Sequence, residues 1–343
     1  LEPASGVNWI YGSNGAGKTT VLEAISILAR GRSFRKGGAR AWIGSAGKEA
    51  RVFARLRDGR RIARLGVERS LGNWRGVVNG QEVRSLTELS GHLPVVVFEP
   101  GAHELVEGGP EERRRYVDWG VFHVEHGFLE AWRRFVRCLR QRNAALRNGA
   151  GEAVLNSLDP GYVEAALSVS EYRAGYVSEL AATVEAIQPG LLRDLPAVGL
   201  SYAPGWQNGK DLSAALDGSR DRDRELGFTH CGPHRADLRM RSGERAVRHV
   251  LSRGQQKQTA LLLLLGQYRQ WQSRLAQTPL LLLDDLGSEL DSDHRRRVTK
   301  WLSGDSGQVW ITGTEAPESR QLDQHEETRV FHVEQGQIRH ERA

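Results

Sequence analysis

The string GSNGAGKT, Gly12 to Thr19, constrains the fold more tightly than any other stretch of the chain. It follows an apolar run, Val7 to Tyr11, and precedes Val21, Leu22, Ile25, Leu28 and Ala29, which recur at helical spacing. Strand, glycine loop and helix, in that order, are the setting of a phosphate-binding loop. Gly12, Gly15 and Gly17 free the backbone to turn its N–H groups inward, with Ser13, Asn14 and Ala16 between them. Lys18 then places a positive charge beside the terminal phosphates, Thr19 ligates magnesium, and Thr20 closes the motif. The expected ligands are ATP and Mg2+.

A phosphate cradle needs an acidic partner for the metal, and LLLLDD provides one. Leu280 to Leu283 reads as a strand buried on both faces of a parallel sheet. Asp284 at its end is placed to hold magnesium together with Thr19, and Asp285 to orient or deprotonate an attacking water. The catalytic set expected from the sequence is therefore Asp285, Asp284 and Lys18. Val309 to Thr312 reads as a further core strand, and VFHVEQGQI as a closing hairpin around Gly336. The fold class is α/β.

LSRGQQK, Leu251 to Lys257, separates this chain from other nucleotide-binding folds. Ser252 and Gln255 form a capping box that opens the apolar helix Gln258 to Gly266. A capped start in which Gly254 exposes backbone N–H groups is also an anion site. The string resembles the signature of ABC-type ATPases, in which the signature of one subunit completes the nucleotide site of another. That resemblance makes Ser252, Arg253, Gly254 and Gln255 nucleotide-binding in a second copy and implies an ATP-dependent homodimer. SELD, Ser288 to Asp291, resembles the adjoining loop of that interface, which adds Asp291.

Between the two halves the pattern changes. Residues 51 to 98 alternate, with turn signals at Asp58-Gly59 and Asn79-Gly80, and predict an antiparallel sheet. Residues 110 to 187 read as helical: Phe128, Leu129, Trp132, Phe135, Leu139 and Leu146 mark one helix, and Val163 to Ile187 a second that packs back on it. Residues 189 to 225 read as irregular connection. The expectation is an ABC-type ATPase head, a P-loop NTPase with a mainly helical second lobe. Lobe I joins residues 1–98 with 228–343, and lobe II is an insertion over 99–227.

Most of the chain separates Lys18 from Ser252, more than a transporter subunit has, while helices of a few turns are far shorter than the arms of chromosome-structural ATPases. Three further strings narrow the choice: GRSFR at Gly31 to Arg35, FEPGAHELVEGGPEERRRYVD at Phe98 to Asp118, and GFTHCGPHRADL at Gly227 to Leu238. In this order they resemble the RecF family of bacterial recombination mediators, within the wider group of SMC-like heads. The resemblance implies an ATP-dependent DNA-binding mediator, active in DNA repair, replication restart and the SOS response. It further implies RecR and RecO as partners, and a role in placing RecA on gapped DNA coated by single-strand-binding protein. Thr20, Ala236 and Gly313 depart from the family pattern, the last at a position that often senses the γ-phosphate. The family's first strands are expected to lie before Leu1.

Forty-eight Lys and Arg against 42 Asp and Glu give a net charge of +6, which fits a polyanionic partner. Basic runs stand at Arg113 to Arg115 and at Arg295 to Arg297, the latter following the acidic DSD and suited to local pairing. Arg133, Arg134, Arg137, Arg140 and Arg142 on one helix are the candidates for tracking DNA phosphates, in duplex or at gap junctions and without sequence preference. Cys138 and Cys231 are far apart, and with no disulfide framework a cytoplasmic location is expected. His230, Cys231 and His234 cluster without a second cysteine pair, so zinc is not expected there. No apolar run reaches the roughly 20 residues that cross a bilayer. Asp285 is one methylene shorter than the glutamate usual in ABC transporters, so slow hydrolysis is expected, suited to a timer that releases DNA. Two other readings share these motifs: the energy-coupling subunit of a transporter, and a DNA-binding scaffold that does not hydrolyse nucleotide.

Overall fold

A computed structural model describes residues 1–35, 43, 47–58, 61–207, 209–275, 278–304, 307–317 and 327–341. Strand β1 (Val7–Tyr11) runs into the glycine loop, and helix α1 (Lys18–Arg30) leaves it. α1 buries Leu22, Ile27, Leu28 and Ala29 and ends where Gly31 takes a left-handed conformation and donates its N–H to the Ile27 carbonyl. An antiparallel sheet follows: β2 (Glu49–Asp58), β3 (Arg61–Ser70), β4 (Trp74–Val78) and β5 (Gln81–Val83). The turn expected at Asn79-Gly80 joins β4 and β5. Gly59 of the other expected turn lies outside the described residues.

The antiparallel reading of residues 51 to 98 runs too far. β6 (Val95–Phe98) pairs in parallel with β10 (Leu280–Leu283), because its four consecutive apolar side chains are all buried and suit a doubly covered strand. The main sheet has the order β13-β12-β1-β11-β10-β6, where β11 is Val309–Gly313, β12 Thr328–Glu334 and β13 Gln337–Glu341. All neighbours are parallel except the closing β12–β13 hairpin. Ile10, Leu22, Leu28, Leu65, Val95, Leu282 and Phe331 share one core, so α1 is sandwiched between main and antiparallel sheets.

Helices α2 (Pro110–Val124), α3 (Phe128–Arg147) and α4 (Glu152–Leu191) carry the middle of the chain. α3 and α4 form the expected antiparallel hairpin, fixed by Arg142–Asp159, Arg134–Glu164, Phe135 against Tyr162 and Phe128 against Tyr172. α4 begins eleven residues before the expected Val163 and has 40 residues, about 60 Å at the α-helical rise, so its arm is much longer than a few turns. Pro160 lies inside α4, although proline lacks the N–H and clashes within a helix. Buried Leu155 and Tyr162 and the Asp159–Arg142 pair hold both flanks helical.

Residues 189 to 225 are not irregular throughout. They contain β7 (Gly199–Ala203), which pairs with β8 (Asp237–Ser242), and most of α5 (Leu212–Leu226). β9 (Arg245–Ala246) completes this small sheet. α6 (Arg253–Arg274) opens at the signature, and α7 (Ser292–Ser303) follows the paired acids.

By compactness the chain divides into residues 1–102, 189–193 and 261–343 as one unit and 103–188 and 194–260 as the other. The second division lies inside α6, not at 228, because β8 pairs with β7 and its Asp237 is held by the buried Arg113 of α2. The mainly helical unit therefore includes Ser252 and its neighbours. No helix among the described residues is long and apolar enough to cross a membrane.

Candidate functional site

Gly12, Gly15 and Gly17 all have positive φ, a region that side-chain-bearing residues rarely enter. At Gly12 a Cβ would also run into the Val333 carbonyl oxygen of β12, so both conformation and space demand glycine. The loop is further tied to the closing hairpin by the Gly336 N–H, which donates to the Ala16 carbonyl at 2.9 Å. Ser13, Asn14, Gly15 and Thr20 are exposed, whereas Ala16 and Lys18 are buried. Lys18 Nζ donates to the carbonyls of Gly12 (2.8 Å) and Ser13 (2.9 Å), which fastens the ammonium to the rim of the loop. The residue at the start of α1 is Gly17, which has no side chain to cap it, so the N-terminal N–H groups and positive dipole end suit an anion.

The acids at the end of β10 meet this loop. Asp284 is 4% exposed; its Oδ1 accepts from Thr19 Oγ1 at 3.0 Å and from Thr312 Oγ1 at 2.7 Å. Burial raises its pKa above the ordinary carboxylate value; the two hydroxyl donors oppose that shift and the neighbouring Asp285 charge adds to it. A hydroxyl and a carboxylate facing each other beside a phosphate loop are oxygen donors of the kind magnesium takes, so Thr19 and Asp284 fit that ion. Asp285 adopts a left-handed conformation, φ 51°, and its N–H donates to Thr312 Oγ1 at 2.8 Å. Its Oδ2 accepts from Ser288 Oγ at 2.6 Å.

Thr312 was readable only as the end of a core strand; its role in holding both acids needed the β10–β11 pairing. A polar residue closing an apolar strand was the available signal. Glu23 was likewise missed: buried in α1, it accepts from Ser33 Oγ at 2.6 Å and pairs with Arg35 at 3.5 Å, which anchors the GRSFR segment. Arg35 lies close enough to Asp284 to favour its ionised form.

The capping box at the head of α6 is present in both directions. Ser252 N–H donates to Gln255 Oε1 at 3.0 Å, and Gln255 N–H to Ser252 Oγ at 3.3 Å. Ser252, Arg253 and Gly254 are exposed, and a Cβ on Gly254 would meet nothing within 4 Å. Asp291 and Ser288 have local partners: Asp291 caps α7, accepting from His294 N–H at 2.9 Å, and Ser288 holds Asp285. His230, Cys231 and His234 turn to separate partners, Asp223, the Ala215 carbonyl and the Thr229 carbonyl. Burial pushes the His234 pKa down to about 4.

The row of arginines on α3 does not act as one surface. Arg142 is fully buried, paired with Asp159 and Asp223 and donating to Thr229, so it is removed from the phosphate-tracking set. Its position faces α4 and α5, and a buried charge is retained only where it is paired. Arg134 pairs with Glu164. Arg133, Arg137 and Arg140 are exposed, and among the described residues they have no acidic partner. Of the other runs, Arg113 pairs with Asp237, distant in sequence, whereas Arg115 pairs locally with Glu111 and Glu112, and Arg296 with Asp293.

The chain matches the model of the RecF/RecN/SMC N terminal domain over residues 1–339. It is 41% identical over 344 aligned positions to the DNA replication and repair protein RecF of Xanthomonas oryzae pv. oryzae, covering 98% of this chain and 95% of that protein. It is 40% identical to the RecF of Pseudomonas fluorescens, covering 98% and 93%. A solved structure of the recombination mediator protein RecF with ATP, described as belonging to the RecFOR pathway, superposes with a TM-score of 0.87 at 26% identity, covering 100% of this chain and 93% of that one. An Smc head domain from Pyrococcus furiosus superposes at 0.58 with 13% identity, which shows the shared head fold alone. The glycine loop, the paired acids and the capped signature stand on an ABC-type ATPase fold, and the chain belongs to the RecF family.

Proposed function

We propose that this chain is an ATP-dependent DNA-binding recombination mediator whose two copies close over shared nucleotides. The observation that carries the reading is the Thr19–Asp284–Thr312–Asp285 chain of hydrogen bonds beside a glycine-built loop. Gly12 to Thr20 would cradle the ATP phosphates, with Lys18 exchanging the Gly12 and Ser13 carbonyls for phosphate oxygens. Thr19 and Asp284 would hold magnesium, which supplies positive charge against the phosphates. Asp285 would orient the attacking water and accept its proton. Its short side chain, already engaged by Ser288, supports slow hydrolysis.

Ser252, Arg253, Gly254 and Gln255 of a second copy would close on the γ-phosphate. The exposure of Ser252, Arg253 and Gly254, and the open space around Gly254, support a role outside their own chain. Arg133, Arg137 and Arg140 supply unpaired charge for the phosphates of duplex or gapped DNA. Family membership supports RecR and RecO as partners, and RecA and single-strand-binding protein further along the pathway.

Sedimentation with and without ATP and a short duplex tests the reading. The wild type should become dimeric with ATP and dimeric on DNA, whereas Lys18→Ala should stay monomeric in both. A wild-type chain that stays monomeric under saturating ATP analogue, while binding that analogue, rules out closure by a second copy.

A further inference from the structure

The outer face of the antiparallel sheet has no part in the nucleotide site. Along β2, Val52, Ala54 and Leu56 point into the core, and Arg51, Phe53, Arg55 and Arg57 point outward. Phe53 is 69% exposed, more than any other exposed large hydrophobic side chain among the described residues. The register sets it opposite Gly66, which in turn stands opposite Val77 on β4. Gly66 leaves the ring uncovered: a Cβ there would only touch its edge, at 3.8 Å. Phe53, Gly66 and Val77 thus form an apolar floor, within an open basin of about 680 Å³ that Arg55 and Arg64 also line.

Charge is distributed unevenly over this face. At one end Arg51 bridges Glu49 (2.7 Å) and Glu68 (3.0 Å), and Arg75 meets Glu82 (3.4 Å). At the other, Arg55 stands directly opposite Arg64, and among the described residues neither has an acidic partner. Like charges opposed across a ladder destabilise a sheet, so nothing in the fold explains the pair.

We infer that this face is a platform for single-stranded DNA, with a base stacked on Phe53 and the phosphate on one side of it held by Arg55 and Arg64. An exposed ring beside two unpaired cations matches a chain that alternates planar apolar groups with anions. Duplex DNA hides its base faces, so only an unpaired strand can use the ring. An acidic peptide would satisfy the arginines and leave the ring bare. The inference is independent of the ATPase reading, because the platform needs neither nucleotide nor a second copy.

The test is fluorescence anisotropy of the full chain, without ATP, on a labelled oligothymidylate and on an abasic oligomer of equal length and charge. The wild type should bind the base-bearing strand about tenfold more tightly, within the range that stacking on an aromatic ring supplies. Phe53→Ala should erase that preference and Phe53→Trp should keep it, which separates stacking from damage to the sheet. Arg55→Ala with Arg64→Ala should weaken binding to both oligomers and reduce the salt slope by about 0.7 per arginine. Equal wild-type affinity for the two oligomers overturns the inference, as does a preference untouched by Phe53→Ala. Base-blind binding displaced by polyglutamate would mark the face as a site for acidic protein instead, and overturns it too.

Discussion

Thr312 donates its hydroxyl hydrogen to Asp284 at 2.7 Å, and the same oxygen accepts the Asp285 N–H at 2.8 Å. One buried side chain on β11 thereby sets the position of both acids at the end of β10. Thr312→Val keeps the shape and removes the hydroxyl, leaving the buried Asp284 one donor short, a loss of about 1–3 kcal/mol. ATP hydrolysis should fall by at least about tenfold, with a lower melting temperature. Unchanged hydrolysis in the valine variant would show that the acids are positioned without Thr312.

Burial raises the pKa of Asp284, so the folded chain binds that proton more tightly than the unfolded chain does. The contribution is favourable below the unfolded carboxylate pKa and is lost as pH rises through the raised value, so at neutral pH the ionised group weakens the nucleotide-free fold. Asp284→Asn should therefore melt higher than wild type at pH 7, with the difference shrinking as pH falls through the carboxylate range. The same variant should lose the stabilisation that ATP with magnesium gives the wild type. Thermal melts across pH, with and without ligand, check both; a variant that melts lower at pH 7 contradicts the assignment.

Asp285→Asn tests the proton acceptor. Asparagine tolerates the left-handed backbone found at this position, so stability should change by no more than about 0.5 kcal/mol. Hydrolysis should be lost while ATP binding survives, and the nucleotide-bound chain should remain on DNA longer. A scaffold that only uses nucleotide for support would show the same DNA dissociation rate for both forms.

Arg142 and Arg137 lie five residues apart on α3 and should behave oppositely. Arg142→Ala leaves Asp223 buried without its cation, at a cost of about 3–5 kcal/mol. Arg137→Ala removes an exposed charge, with an effect on stability within about 0.5 kcal/mol. Urea denaturation should separate the two, and only Arg137→Ala should weaken DNA binding without weakening the fold.

The contrast between these arginines shows where sequence alone stops. Spacing placed all five on one helix, but it could not show that α4 and α5 bring Asp159 and Asp223 to Arg142 from distant parts of the chain. Local motifs were legible as strings, since the loop, the paired acids and the Ser252–Gln255 box are each written within a few residues, although Thr312 and the closing hairpin set the geometry of the first two. Thr312 and Glu23 were not, because their partners arrive through sheet pairing and chain return. The start of α4, expected at Val163, was missed for the same reason, since the buried contacts of Leu155 and the Asp159–Arg142 pair extend the helix back to Glu152.

Gly254 gives the sharpest separation between work done within a chain and work done between two. It stands in the first turn of α6, it is exposed, and a Cβ there would meet nothing within 4 Å. For an isolated chain Gly254→Ala is therefore harmless, and alanine's helix preference can add up to about 1 kcal/mol. A partner's phosphate closing on the helix start would meet the new methyl group and lose close approach to the backbone N–H groups. The alanine variant should melt at or above the wild-type temperature and bind ATP as tightly when monomeric, yet fail to dimerise with it and hydrolyse at least about tenfold more slowly. Gly12→Ala supplies the opposite control, since its Cβ runs into Val333 within the same chain and should abolish ATP binding itself. Normal dimerisation by Gly254→Ala would mean that the exposed signature does its work elsewhere than over a second copy's nucleotide.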